Sequence, residues 1–179
     1  MSDLTEKKIF SEKIYKGRLL DVRKDKVRLP NGRTSTREWI NHPGAVCIIP
    51  ILPSNKIALV KQYRYPVLDH MIEIPAGKLE KKEDPLHCAK RELEEEIGYK
   101  AKKLTLLTHI HPAIGFANEK MWIYLAEDLE KTENKLDIDE FVELFPLELD
   151  EALKMIWDSK ITDVKTIIGL LWYEKLYKF

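Results

Sequence analysis

Cysteine is scarce in this chain. Only Cys47 and Cys88 stand among 179 residues, too few for a disulfide framework and in keeping with a reducing compartment. An excess of charge of either sign is also missing, because 30 Lys+Arg meet 30 Asp+Glu. That excludes the basic footprint of a nonspecific nucleic-acid binder, while a balanced total still permits local clusters for a charged small ligand. No apolar run reaches the roughly 20 residues that a bilayer-spanning helix needs. The opening segment, Met1-Ser2-Asp3-Leu4-Thr5-Glu6-Lys7-Lys8, is polar and holds no apolar signal core. The expectation is a cytoplasmic protein with no membrane or nucleic-acid partner. A Walker A loop, a GxGxxG turn, internal repeats and low-complexity tracts are all lacking. Neither cysteine has a CxxC partner or a flanking histidine, and His109 and His111 have no third ligand at zinc spacing.

What is present is a globular balance, 44% hydrophobic and 34% charged residues in 21.0 kDa, enough for one domain or one domain with a small appendage. From Phe10 to about Asn41, apolar positions alternate with charges and predict strands. Pro30-Asn31-Gly32 is a hairpin signal, since Asn and Gly tolerate the positive φ of a tight turn. His42-Pro43-Gly44 then breaks the pattern. Residues 1–42 therefore read as an N-terminal β appendage and residues 43–179 as the main domain. In the main domain, Ala45 to Ile49 predicts a strand buried on both faces. Further strands are expected over Ile57 to Tyr65, Met71 to Pro75, Leu104 to His109, Met121 to Ala126 and Phe141 to Phe145. A helix is expected at Asp84 to Ile97, with Asp84 as cap, Pro85 in the first turn and Gly98 as the stop. Two more helices are expected near Asp150 to Trp157 and Asp163 to Tyr177, with Ile156, Trp157, Ile167, Ile168, Leu171 and Trp172 in the core. The expected fold class is α/β, a mixed β-sheet sandwiched between helices.

The helix after Asp84 carries the chemistry. Leu86, Ala89, Leu93 and Ile97 recur at helical spacing and form an apolar stripe. Glu92, Glu95 and Glu96 lie at i, i+3 and i+4, so they share one face beside that stripe. Like charges at that spacing repel, and the helix's C-terminal half disfavours anions. Such carboxylates are either left in water or neutralised by cations, and hard oxygen ligands suit Mg²⁺ or Mn²⁺.

A bare glutamate cluster is ordinarily a solvated face; here a longer pattern decides. Gly77, Glu83, Arg91, Glu92, Leu93, Glu95, Glu96, Gly98 and Tyr99 read G-x5-E-x7-R-E-U-x-E-E-x-G-U, where U is a bulky apolar residue. Chance agreement at all these positions is on the order of one in several million, so coincidence is set aside. This is similar to the signature of Nudix hydrolases, with Tyr99 standing where an aliphatic residue is more usual. The resemblance implies a loop–helix–loop that binds divalent metal through Glu92, Glu95 and Glu96 and cleaves the diphosphate of a nucleoside diphosphate linked to another moiety. Arg91 would orient a metal-binding carboxylate, as its position one turn before Glu95 allows. Glu83 would support the site from behind the ligands.

Flanking stretches resemble the ADP-ribose pyrophosphatase group of that family. They are Gly17 to Val22, Thr36-Arg37-Glu38-Trp39, His42 to Val46, Leu59 to Pro66, Ile72 to Gly77 and Asp163 to Leu170. By that resemblance the Ala76 carbonyl is a further metal ligand, and Glu119 is the general base or an added metal contact. Arg64 can fork onto phosphate oxygens, and Trp39 can stack on adenine. Arg37 and Glu38 are candidate contacts to the base or ribose. In the loop Pro112-Ala113-Ile114-Gly115-Phe116-Ala117-Asn118-Glu119, Ile114 replaces the proline usual before the glycine. Relatives pair their N-terminal strands across a subunit boundary, and the appendage here is too short to bury a core by itself, so a homodimer is expected. The activity implied is Mg²⁺-dependent hydrolysis of ADP-ribose to AMP and ribose 5-phosphate. Alternatives are another nucleoside diphosphate sugar, such as a GDP- or UDP-sugar, or a dinucleotide such as FAD or NADH. A rival outside catalysis is a sensor that binds ADP-ribose without cleaving it; the intact carboxylate set speaks against it.

Overall fold

The computed structural model describes residues 3–132 and 141–177, which divide into two units. One unit runs to Pro43 and includes His111–Lys120; the other holds Gly44–Ile110 and the chain from Met121 onward.

The first unit is an antiparallel sheet of β1 (Lys7–Lys16), β2 (Asp21–Arg28) and β3 (Thr34–Ile40), in that order. The hairpin at Pro30-Asn31-Gly32 forms as expected, but with a three-residue loop. The Leu29 N–H donates to the Arg33 carbonyl at 2.8 Å, and only Gly32 takes a positive φ, +82°. Asn31 contributes through its side chain, which accepts the Arg33 N–H at 3.1 Å. A glycine in the left-handed position is what a loop of this length requires. The loop before Met121 is stitched to the end of β3: the Ile40 N–H donates to the Phe116 carbonyl at 2.8 Å, and the Asn118 N–H to the Ile40 carbonyl at 3.3 Å.

In the second unit, β7 (Ala76–Lys78), β4 (Ala45–Pro50), β9 (Met121–Lys131) and β8 (Tyr99–Ile110) form one sheet in that order, with β4 and β9 parallel. A second sheet, antiparallel, has the order β10 (Val142–Leu147), β5 (Ile57–Arg64), β6 (Asp69–Glu73). Side-chain parity separates two cores. Cys47, Ile49, Ile57, Leu59, Ile123 and Leu125 pack with Ala152, Leu153 and Leu170 of α2 (Leu149–Trp157) and α3 (Val164–Tyr177). Val46, Ile48, Ala58, Val60 and Tyr124 pack with Cys88, Ala89, Leu93 and Ile97 of α1 (Pro85–Ile97). Strands covered on both faces need apolar residues at every position, which explains the unbroken run at β4. Thus the mixed sheet does lie between helices. Gly169 on α3 lets the helix come close, since a Cβ there would lie 3.2 Å from Ile74 Cδ1.

Several expectations need correction. β8 starts at Tyr99 rather than Leu104, because its pairing with β9 continues through alternating charged and apolar residues up to the end of α1. The short strand β7 was not anticipated; Gly77 within it and Pro75 before it hide a strand held by pairing with β4. Leu86 in the first turn of α1 is exposed, and Cys88 takes the inward place, its thiol donating to the Lys78 carbonyl at 3.5 Å. Trp157 is 71% exposed and Trp172 41%, so neither is core. Ala152, Leu153 and Ile156 supply the inward face of α2, which turns the adjacent Trp157 outward. Among the described residues no helix is long and apolar enough to cross a membrane.

Candidate active site

The frame of the site is α1 and the segment that leads into it. Asp84 caps the helix, its carboxylate accepting the N–H groups of Leu86 at 2.9 Å and His87 at 3.3 Å. Gly98 closes it in the left-handed conformation, φ +69°. Leu93 and Ile97 seat the helix on the sheet, and that rotation leaves Glu92, Glu95 and Glu96 on the flank facing β7 and the loop after it.

Arg91 holds two of the three glutamates and the backbone holds the third. Arg91 Nη1 donates to Glu92 at 2.7 Å and to Glu95 at 2.9 Å. Its Nε and Nη2 grip Glu83, both at 3.0 Å, and Nη2 reaches the Lys78 carbonyl at 3.3 Å. Glu96 accepts the Ala76 N–H at 3.1 Å. The Glu92 carboxylate fills the space above Gly77, where a Cβ would stand 1.8 Å from Glu92 Cδ. Three carboxylates, Glu83, Glu92 and Glu95, share one guanidinium, and the Arg91 fork keeps Glu83 well below the usual carboxylate range, at about 2. The same pairing raises the Arg91 pKa strongly against its burial. Burial, then the Glu83 charge, pushes the Cys88 thiol up to about 12, so it is a packing group rather than a nucleophile.

Among the described residues no three carboxylate, imidazole or thiol groups already converge on one point. Arg91 instead draws Glu92 and Glu95 to itself. The donor set nonetheless fits a hard divalent cation: three carboxylates on one helix flank, backbone at Ala76 beside them, and a glycine that leaves room for Glu92.

Next to this cluster is a buried ionic network. Arg64, at the end of β5, forks onto Glu73 with Nε and Nη2, both at 2.7 Å. Glu73 is 3% exposed and also accepts from Lys165, which in turn contacts Asp163 at 3.0 Å. Burial disfavours the Glu73 charge, but Arg64 and Lys165 outweigh it and lower its pKa. Burial likewise works against the Lys165 ammonium, and the two carboxylates reverse that. Asp163 caps α3 through the Thr166 N–H at 3.0 Å and the Thr166 hydroxyl at 2.5 Å; that hydroxyl oxygen accepts the Ile74 N–H at 2.8 Å. The charges of Glu96 and Asp163 both act on Arg64. Sequence reading missed the roles of Glu73, Asp163, Lys165 and Thr166. Two signals were there: a glutamate between Ile72 and Ile74 in a strand, and a capping Asp163 three residues before Thr166.

The remaining candidates belong to the N-terminal unit. Arg37 and Trp39 alternate onto one face of β3 and Glu38 onto the other. Arg37 is engaged by Glu6, with Nε donating at 2.9 Å, while Glu38 pairs with Lys24 at 3.4 Å and Trp39 is half-buried. Glu119 lies 3.7 Å from His42 Nε2, and the His42 N–H donates to Asn118 Oδ1 at 2.7 Å.

Comparison with known proteins now decides the family. A NUDIX domain matches residues 41–164, and a nucleoside diphosphate sugar hydrolase N-terminal domain matches residues 6–40. This chain belongs to the Nudix family. As a Nudix hydrolase it is 46% identical to the ADP-ribose pyrophosphatase of Bacillus subtilis (strain 168), over 95% of this chain and 93% of that one. It is 50% identical to the methanol dehydrogenase activator of Bacillus methanolicus, over 92% and 90% of the two chains. A solved ADP compounds hydrolase, 22% identical, superposes on this Nudix fold with a TM-score of 0.87 and covers 99% of the chain and 97% of its own. The Nudix family generally uses divalent metal ions, in agreement with the donor set around Gly77.

Proposed function

We propose that the protein hydrolyses the diphosphate bridge of ADP-ribose, adding water to give AMP and ribose 5-phosphate, with Mg²⁺ as the natural ion and Mn²⁺ as a substitute. The observation that carries the reading is the gathering of Glu92, Glu95, Glu96 and Arg91 around the Ala76–Gly77 backbone. The Bacillus subtilis relative supplies the substrate. Glu92, Glu95, Glu96 and the Ala76 carbonyl would hold the metal. When bound, a divalent cation there neutralises the diphosphate oxygens and makes an adjacent water more acidic. Arg91 orients Glu92 and Glu95, and the Ala76 N–H orients Glu96. Arg64 meets a phosphate, Glu119 accepts the proton of the attacking water or contacts the metal, and Trp39 stacks on the base with Arg37 and Glu38 at its edge. As that water bonds to one phosphorus, the bridging P–O bond breaks and the second phosphate leaves.

The same reading takes residues 1–42 as the dimerisation segment of a cytoplasmic homodimer. Its support is β1, exposed along its whole length and carrying Ile9, Phe10, Ile14 and Tyr15 outward, together with two cysteines that form no disulfide. The test is AMP release from ADP-ribose with Mg²⁺. Purified protein that releases none is not this enzyme. Glu96→Gln is expected to lose activity by about 10²-fold or more while melting at nearly the wild-type temperature; full activity in that variant contradicts the ligand assignment.

The 50% identity to the Bacillus methanolicus protein favours a second reading, activation of an alcohol dehydrogenase. Adding the protein to such an enzyme and following its rate tests this directly. A dinucleotide cofactor carries the same diphosphate bridge, so a substrate panel including NADH and FAD separates the two.

A further inference from the structure

Lys165 is the one lysine among the described residues that is buried, and nothing in the reading above uses it. Its Nζ bonds Glu73 Oε2, the oxygen that also accepts Arg64 Nη2, and it lies 3.0 Å from Asp163. Arg64 spends Nε and Nη2 on Glu73 and makes no hydrogen bond through Nη1 among the described residues, while its side chain is 41% exposed. The buried edge of the guanidinium is therefore anchored and the other edge is free. Four charges alternate in a chain, Arg64, Glu73, Lys165, Asp163, with the two middle ones buried, and the last is fixed by Thr166, whose hydroxyl oxygen also accepts the Ile74 N–H at 2.8 Å. This last contact ties the N-terminus of α3 to the strand that runs into Ala76 and Gly77.

We infer that Lys165 is a positioning residue for the substrate diphosphate: through the buried Glu73 carboxylate it holds Arg64 with its outer edge presented to a phosphate. Glu73 is needed to aim Arg64, yet a buried carboxylate whose only cation is Arg64 would draw that guanidinium inward and cancel its charge. Lys165 supplies the second cation, fixes the carboxylate plane from behind, and leaves the charge of Arg64 available to an anion. A bidentate arginine needs its partner held in plane, which a single acceptor free to rotate does not provide. This inference rests on the proposed phosphate contact of Arg64.

The test is a double-mutant cycle on ADP-ribose hydrolysis. Lys165→Met is expected to raise KM roughly tenfold with kcat changed less than about twofold, the loss of one charge-assisted contact in substrate binding. In the Glu73→Gln background the same substitution is expected to change KM by less than about twofold, because the carboxylate through which Lys165 acts on Arg64 is gone. Equal effects in the two backgrounds, or a fall in kcat with KM unchanged, overturn the inference. If Lys165→Met does not fold, Asp163→Asn decides: Asn still caps α3, Lys165 turns wholly to Glu73, and KM is expected to stay at or below the wild-type value. A tenfold rise there overturns the inference. Wild-type protein that does not cleave ADP-ribose overturns the activity itself; normal wild-type turnover with an unchanged KM in Lys165→Met overturns only the role of Lys165.

Discussion

At the scale of single residues, the site is a contest of many carboxylates for few cations. Gly77 shows how narrow the tolerances are. A methyl group at this position overlaps the Glu92 carboxylate, so Gly77→Ala is expected to displace that side chain and weaken Mn²⁺ binding by roughly tenfold, read by titration calorimetry. Unchanged affinity would mean that Glu92 is not a ligand. Glu83 supports a pH argument. Arg91 depresses its pKa from the ordinary 4.5 to about 2. A depressed carboxylate contributes stability that is fully present above 4.5 and is lost as pH falls toward 2. The melting temperature of wild type should therefore exceed that of Glu83→Gln at neutral pH, and the gap should shrink across that acid window. A gap that stays constant to pH 2 would show that the Arg91 pairing contributes no proton linkage.

At the scale of elements, α1 turns a sequence pattern into a site. Its apolar residues choose the rotation, and the glutamates follow from the 3.6-residue period. The Asp84 carboxylate satisfies two of the helix's first N–H groups. Asp84→Ala is expected to cost about 1 kcal/mol, lowering the melting temperature by about 2–4 °C for a chain of this size. Activity measured well below the melting temperature should stay close to wild type, because the glutamates sit in the later turns. A large loss of activity without loss of stability would contradict a purely structural cap. The ends of this helix and its acidic flank were legible in advance, since Asp, Pro and Gly act locally. Cys88 in place of Leu86 was not legible, because which residue turns inward in a first turn depends on what the helix packs against.

At the scale of the whole molecule, the proposed dimer is tested at the N-terminal sheet. Every residue of β1 is exposed in the single chain, including Ile9, Phe10, Ile14 and Tyr15. Light scattering at dilute concentration is expected to give twice the 21.0 kDa chain mass, and Phe10→Glu is expected to shift the mass toward the monomer. A wild-type species at the monomer mass would refute the dimer.

Most of the alternation of strands and helices and the capped acidic helix can be read from the amino-acid sequence, because they are written in local spacing: hydrophobic period, capping residues, and carboxylates at i, i+3 and i+4. The class of chemistry came from the likeness of the longer motif to the Nudix signature, since the glutamate spacing alone suits a solvated face equally well. Which donor each carboxylate meets is set by packing. Arg91 lies beside Glu92 in sequence, but the Ala76 N–H that holds Glu96 and the Gly77 space that receives Glu92 arrive through the pairing of β7 with β4. The same is true of Lys165, which reaches Glu73 across 92 positions of sequence. A buried charge takes its partner from whatever the packed core brings within bonding distance, and no local pattern in the chain records that choice.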